Sequence, residues 1–517
     1  MKRCLLLFSR LLIILIISGA AVGRAQGAPL PPASSHPILA PASASLPAPR
    51  FLKILDADPL NSAGVGPLLA SGSRVYFMVR VTTPNPNVTQ CSWWVSDGSP
   101  DGTQPFPYFF PFQACPVDPS QPAQYLPFRN QSLLLDFNGK LYFTDGSSIP
   151  TLLLDFPALN LTSLAGTVVF FTDYDYGLTK PGVWVTDGTP AGTVQIMPLA
   201  RILSTTFRIG QDVFFLVDND TGTWLWKTDG TASGTFALAQ IEATSDVIVS
   251  NPVAFNGKTY FLVTYPVQTA AGYDEVPALW GTDGTQAGTA LIKTFPPTDS
   301  SSSTFFSASE HYLFFVLVNH NADYILWQSD GTPAGTQAFA GNPIFPDLEY
   351  GFTFRDAFYL ADHNGVILNK TTGKAGGLVP LLNGRAFTGN GYAQSDGRLY
   401  LNNGQLWVTD GSSLTELVGS QSYQMPLSLI GFAGWLFFSP NSGCTSSGCA
   451  LWFTDGTPAG TKPYPYADLG ISTSHIYPAG TGAGRFYLMV ADSTQGSQLW
   501  VIDDPRPIKT YLPMTRN

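Results

Sequence analysis

Leu326-Trp327-Gln328-Ser329-Asp330-Gly331-Thr332-Pro333-Ala334-Gly335-Thr336 recurs along most of the 517-residue chain, and its reading decides the fold. Strong copies begin at Val183-Trp184, Leu225-Trp226, Leu279-Trp280 and Leu451-Trp452, and a near copy begins at Trp93-Trp94. Leu406-Trp407 through Ser412 keeps the first half of the stretch. The segments around Asp145 and Ile367–Gly373 are worn, and Leu499-Trp500 through Asp503 is cut short. The repeat residues that carry the pattern are Trp94, Asp97, Trp184, Asp187, Trp226, Asp229, Trp280, Asp283, Trp327, Asp330, Trp407, Asp410, Trp452, Asp455 and Trp500. Successive Asp positions lie about 40 to 55 residues apart, the period of one four-stranded propeller blade.

Upstream of each copy stands a short aromatic run, such as Val213-Phe214-Phe215, Tyr260-Phe261-Leu262 or Leu313-Phe314-Phe315. Runs of Val, Phe and Tyr bounded by Gly, Asn and Asp read as strands, and no long window shows helical periodicity. One unit therefore reads strand, turn, aromatic strand, polar loop, Leu-Trp strand, Asp-Gly turn, strand. Side chains alternate along a strand, so Leu326 and Trp327 face opposite sides of their blade, each toward a neighbour. A fully buried Trp contributes on the order of 4–6 kcal/mol as an upper bound. Asp330 is expected to accept backbone N–H groups just ahead of it in an Asx turn, and Gly331 and Gly335 to supply positive φ.

These segments resemble the ELWxxDGT repeat of large secreted bacterial proteins, from about Phe51 to Asp503. The strong copies lack the Glu that precedes Leu-Trp in that family. The resemblance implies a repeat architecture and an extracytoplasmic, bacterial setting; it supplies no site residues.

The expected architecture is all-β: a closed β-propeller of about eight to ten four-stranded blades. Phe51-Leu52-Lys53-Ile54-Leu55-Asp56 resembles the strand that ends other units, such as Ala290-Leu291-Ile292-Lys293-Thr294. The last unit, Leu499 to Asp503, stops before that strand. The N-terminal strand is thus expected to pair with the last blade and close the ring, which removes exposed sheet edges at the join. Ten units can be counted, with a strand fused or lost in the second unit between Lys140 and Leu154. Two smaller rings are the alternative. Residues 104–129, rich in Pro and aromatic residues, read as a long loop on one rim and as a surface for a partner.

Flanking the ring, residues 1–27 read as a secretion signal peptide, with Lys2 and Arg3 ahead of the apolar run Leu11–Ile17. Residues 28–50 form a Pro/Ala/Ser-rich linker, and residues 504–517 a C-terminal tail. Beyond the signal, Cys91, Cys115, Cys444 and Cys449 remain; an even count in an exported chain points to disulfides, with Cys444 paired to Cys449 across a hairpin and Cys115 to Cys91.

Charged residues are only 12 % of the chain and the formal net charge is −10, which argues against nucleic acid and anionic membranes as partners. The five histidines, His36, His311, His320, His363 and His475, are scattered and form no ligand pair or triad. No catalytic residue and no cofactor is indicated. Asp173, Asp175, Asp218 and Asp220 resemble fragments of calcium loops, although ordinary hairpin turns use the same residues. The functional expectation is a secreted or cell-surface, non-enzymatic binding scaffold whose partner is an extracellular protein or glycan, with no membrane span once the signal is removed. A propeller enzyme acting on extracellular polysaccharide and a purely structural adhesion element are the alternatives.

Overall fold

The protein is described by a computed structural model covering residues 48–504 apart from 59–60, 66–67, 72, 85–86, 107–124, 129–130, 136–138, 145–149, 173–179, 200, 244–246, 270–271, 299–304, 320–322, 340–347, 363–367, 374–376, 382–390, 403–404, 419–426, 440–450, 465–473 and 493. The expected signal peptide, nearly all of the expected linker and the stretch beyond Asp504 therefore lie outside the described residues.

Every regular element described is a strand, and the strands form ten antiparallel sheets. We number the sheets as blades by their second strands: Arg74–Pro84 (blade 1), Gln131–Leu135 (2), Val168–Thr172 (3), Asp212–Asn219 (4), Lys258–Thr269 (5), Leu313–Val318 (6), Ala357–Asp362 (7), Arg398–Asn402 (8), Trp435–Ser439 (9) and Arg485–Asp492 (10). Blades 1 and 5 have a first strand split in two, both parts pairing with the second strand; the other blades have four strands each. This is a ten-bladed β-propeller.

Burial follows position in the blade. The second strands are buried along their length, as in Val168–Thr172 and Leu313–Val318, because both faces meet a neighbouring blade. The first strands of successive blades run beside one another around the axis. The fourth strands form the outer surface, where Gln337–Ala338, Val379–Pro380 and Lys462–Pro463 are exposed. These outer edges are short, and two of the three carry Pro, which discourages pairing with another chain.

The Leu-Trp pair works as the alternation requires. Leu225, Leu279, Leu326, Leu406, Leu451 and Leu499 pack toward the following blade. Trp184, Trp226, Trp280, Trp327, Trp407, Trp452 and Trp500 pack toward the preceding one. The Trp rings also lie against aromatic rings of their own second strands, as Trp184 on Phe170 and Trp327 on Phe315, with ring centroids 6.1 and 6.4 Å apart. Of these repeat tryptophans only Trp94 and Trp184 are buried; Trp226, Trp280, Trp327, Trp407, Trp452 and Trp500 remain half-buried. The full-burial figure therefore overstates most of them, and the Leu partners are the better-sealed half of each pair.

The ring closes as the complementary first and last units imply. Arg50–Asp56 pairs antiparallel with Gly496–Asp503 and forms the outer strand of blade 10. Ten clusters of buried side chains each join two successive blades, and one of them joins blade 10 to blade 1 through Leu52, Val75, Phe77, Tyr487, Leu499 and Val501. The clusters make one circuit, which excludes two smaller rings.

Two expectations need correction. Blade 2 loses no strand: Tyr125–Phe128, Gln131–Leu135, Leu141–Thr144 and Thr151–Leu154 form a complete sheet. Leu141-Tyr142-Phe143 resembles an aromatic second strand but is the third, because the actual second strand is apolar without an aromatic residue. The loop expected over residues 104–129 is shorter, since Gln104–Pro105 is the outer strand of blade 1 and Tyr125–Phe128 the first strand of blade 2.

Candidate functional site

Up-and-down order sorts every connection to one of two rims. Turns between first and second strands and the Asp-Gly turns between third and outer strands share one rim. Hairpins between second and third strands and the links between blades share the other. The two rims differ in character.

The Asp-Gly rim repeats one complete turn in six blades. In blade 6 Asp330 Oδ1 accepts from the Thr332 N–H at 2.9 Å and the Thr332 hydroxyl at 2.7 Å. The Gly331 N–H donates to Ser329 Oγ at 3.0 Å, and the Gly335 N–H donates to Thr332 Oγ1 at 3.0 Å. The Thr336 hydroxyl donates to the Thr332 carbonyl at 2.6 Å and also meets Ser329 Oγ at 2.6 Å. The same set recurs around Asp97, Asp187, Asp229, Asp283 and Asp455, and part of it around Asp410. The Asx turn is as expected.

The two glycines have different jobs. Gly331 has φ +89, but Gly335 is absent from the positive-φ residues. A Cβ on Gly335 would lie 2.0 Å from Asp330 Oδ1, so it is the space for the carboxylate that requires glycine there. Gly331 also receives the preceding blade, since a Cβ there would lie 2.3 Å from the Tyr260 hydroxyl oxygen. Phe143 stands in the same relation to Gly188, Tyr312 to Gly373, Arg398 to Gly456 and, across the closure, Arg485 to Gly98. Lys370 Nζ and Arg398 Nη1 donate to the carbonyls of Gly411 and Asp455 in the next blade, at 2.6 and 2.5 Å.

Hydrogen bonding lowers three carboxyls of this rim, Asp410, Asp229 and Asp283. The Ser412 hydroxyl and N–H hold the Asp410 carboxyl down at about 2. Thr231 lowers Asp229 and Thr285 lowers Asp283 in the same way. At Asp97 burial pushes the value up, but the Ser99 hydroxyl and N–H, with Arg485 and Arg74, outweigh it. Burial raises the interblade Tyr359 to about 12 and keeps it neutral. These repeat residues are committed to the turn and to the next blade.

The opposite rim is irregular. In blade 6 the hairpin is short, its paired strands having six residues each. Blade 1 extends its pair to 11 and 10 residues, and blade 5 to 12 and 11. The blade 5 hairpin is braced by the link that follows its outer strand: the Glu275 N–H donates to the Thr298 carbonyl at 2.7 Å and the Thr298 N–H donates back at 2.8 Å. Val267, near its tip, is exposed. In blade 1 the Thr82 and Thr89 hydroxyls meet across the pair at 3.0 Å. Described carboxylates on this rim include Asp155, Asp218, Asp220, Glu242, Asp274, Glu275, Asp323 and Asp492, against Arg80, Lys140, Lys180 and Arg201.

The candidate calcium ligands divide. Asp173 and Asp175 lie outside the described residues. Asp218 is buried and bonded to Thr223 Oγ1, with Arg201 at 3.2 Å; Asn219 Oδ1 accepts from the Thr221 N–H at 2.8 Å in a hairpin turn that carries Asp220 at its tip. Among the described residues no three His, Cys, Asp or Glu side chains gather as a metal site. Cys91 stands opposite Arg80 on the long blade 1 hairpin and is disulfide-bonded; Cys115, Cys444 and Cys449 lie outside the described residues. Among the described side chains, the charged residues of the first strands are Arg201 and Arg208, both in blade 4.

Sequence reading missed the long hairpins. Their signal is the interval from the aromatic strand to the Trp strand, longer from Phe261 to Trp280 than from Phe315 to Trp327.

No protein-family model matches the chain, and no curated protein matches it. Among solved structures, a mutant puromycin hydrolase complexed with PGG is similar at 12 % identity and TM-score 0.31, over 63 % of this chain and 60 % of that one, so the match spans less than two thirds of the hydrolase. The β-propeller domain of the Trilobed protease from Pyrococcus furiosus is similar at 13 % and TM-score 0.28, over 58 % and 95 % of the two chains. Citrobacter koseri AztD is similar at 13 % and TM-score 0.36, over 61 % and 85 %. At such TM-scores none of them bears on what this chain does.

Proposed function

We propose that the chain is an exported, non-enzymatic binding scaffold that engages an extracellular protein or glycan through its irregular rim. The observation that carries this reading is the contrast between the rims. The Asp-Gly rim spends its polar groups on its own turns and on the next blade. The opposite rim holds the extended hairpins of blades 1 and 5 and the excess of carboxylates. Loops held by a rigid scaffold are where binding determinants concentrate. The carboxylate excess favours a partner with a cationic face and disfavours nucleic acid. Pairing of Cys91 with Cys115 fits the reading, because it ties the long hairpin to the inserted link. Binding is taken to need no cofactor; Asp173 and Asp175 keep calcium as the alternative.

The test is incubation of the chain from Ala28 with soluble polysaccharides and cell-envelope fractions, reading retention and released sugar with and without EDTA. Retention without product, lost when the blade 5 hairpin is cut back to Thr264 and Pro277 through a two-residue turn, is the expected result. Released sugar would overturn it, and retention that survives the cut would move the surface elsewhere.

A further inference from the structure

We propose that the closing strand Arg50–Asp56 is a strap that lets go under tension applied between the two chain ends. In blades with an Asp-Gly turn the outer strand is joined covalently to the third strand. Blade 10 has no such turn: its third strand ends at Asp503 and its outer strand begins at Arg50, held by noncovalent contacts alone. Arg50 pairs with Val501, so both chain ends leave from the same end of one antiparallel pair. Pulling them apart loads the backbone pairs one after another, as a zipper is opened. Arg50–Asp56 has a partner strand on one side only, whereas Gly496–Asp503 is flanked on both, so the outer strand peels first.

The strand is lightly held. Its register slips twice in seven residues. Leu52 is fully buried in the seam, but Phe51 and Ile54 are each 42 % exposed. The first pair to open is a clasp in which Arg50 Nε and Nη2 donate to Asp503 at 2.8 and 3.2 Å, and Arg485 Nε donates to the same carboxylate at 3.1 Å. The Asp503 side chain is half exposed, so the clasp is screened by solvent.

The peel also has a stop. Beyond Asp56 the chain is locked by the Asp58 N–H on Asp56 Oδ1 at 3.1 Å and by Asn61 Nδ2 on Asp56 Oδ2 at 2.8 Å. Release to that point leaves blades 10 and 1 in contact through Tyr487, Val75 and Phe77, with Arg485 Nη1 still on the Ser73 carbonyl at 3.1 Å. It bares the free edge of Gly496–Asp503, where a strand of another chain can add.

Optical-tweezers pulling of the full chain, with handles ahead of Arg50 and after Asp503, tests the strap. The expected first event is a reversible extension of about 5 nm, the strand's length counted once as released chain and once as the gap it leaves. It precedes unfolding of the blades. Moving the second handle to Gln495, at the other end of the pair, loads the strand in shear and raises the force of this event several-fold. In the oxidised Phe51→Cys/Trp500→Cys variant the event vanishes, and it returns in reductant, with the wild-type chain in reductant as control. A first event that releases a whole blade, or a short event that survives the cross-link, overturns the proposal.

Discussion

The two rims are made by the same ten blades, yet they obey different rules. On the Asp-Gly rim one solution repeats, down to the hydroxyl that each Asp accepts. On the other rim no two described hairpins of blades 1, 4, 5 and 6 share a length. The Asp-Gly turn also seats the neighbouring blade, so a change there disturbs two blades at once. At the described hairpins of blades 4 and 10, Gly222 and Gly496 instead face the backbone at the end of their own outer strand. Repetition in this chain marks the joints of the ring; departure from repetition marks where binding is expected.

The contrast can be broken or sharpened by substitution. The largest effect is expected at Leu326→Ala, which empties a fully buried position between blades 6 and 7 and costs about 2–5 kcal/mol in urea melts. The half-buried Trp327→Ala is expected to cost less than a sealed Trp, about 3 kcal/mol. A loss at Trp327 above that at Leu326 would reverse the order of importance drawn from burial. Gly335→Ala on the uniform rim places a Cβ on the Asp330 carboxylate and is expected to cost about 2–3 kcal/mol by the same melts. If it proves neutral, the turn tolerates rearrangement and the rim is less constrained than its repetition suggests.

Acid gives a smaller, collective effect. Asp410, Asp229, Asp283 and Asp97 titrate below their ordinary values, so the folded ring holds fewer protons than the unfolded chain in this range. Their contribution is complete above about pH 4 and is lost as pH falls towards 2. Circular-dichroism melts should show a falling midpoint across that window in the wild type and a shallower fall in Asp410→Asn. The smallest stability effect belongs to the irregular rim. Asp274→Lys is expected to stay within about 0.5 kcal/mol of wild type while weakening retention on a cationic partner. A destabilisation as large as that of Gly335→Ala would erase the distinction between the rims.

Much of the ring was legible because its joints are repeated. The Leu-Trp alternation, the Asx turn and the closure by Phe51–Asp56 all follow from residue order and strand periodicity. Blade 2 was misread because Gln131-Ser132-Leu133-Leu134-Leu135 replaces the aromatic run and Leu141-Tyr142-Phe143 imitates it. Gly335 was misread because glycine answers equally to positive φ and to crowding, and only coordinates tell the two apart. The candidate surface was hardly legible at all. It is defined by hairpin length and by which connections share a rim, and neither property leaves a motif.

Blades 3 to 6 carry both halves of a joint: a glycine seat for the blade before and a side chain that fills the seat of the blade after, as Tyr260 of blade 5 fills that of blade 6. A duplicated stretch of one period therefore arrives with a plug and a socket that already fit its new neighbours. The ring can grow or shrink by whole blades through gene duplication and loss, with no interface to invent, and the curvature of the circle becomes the chief limit on their number.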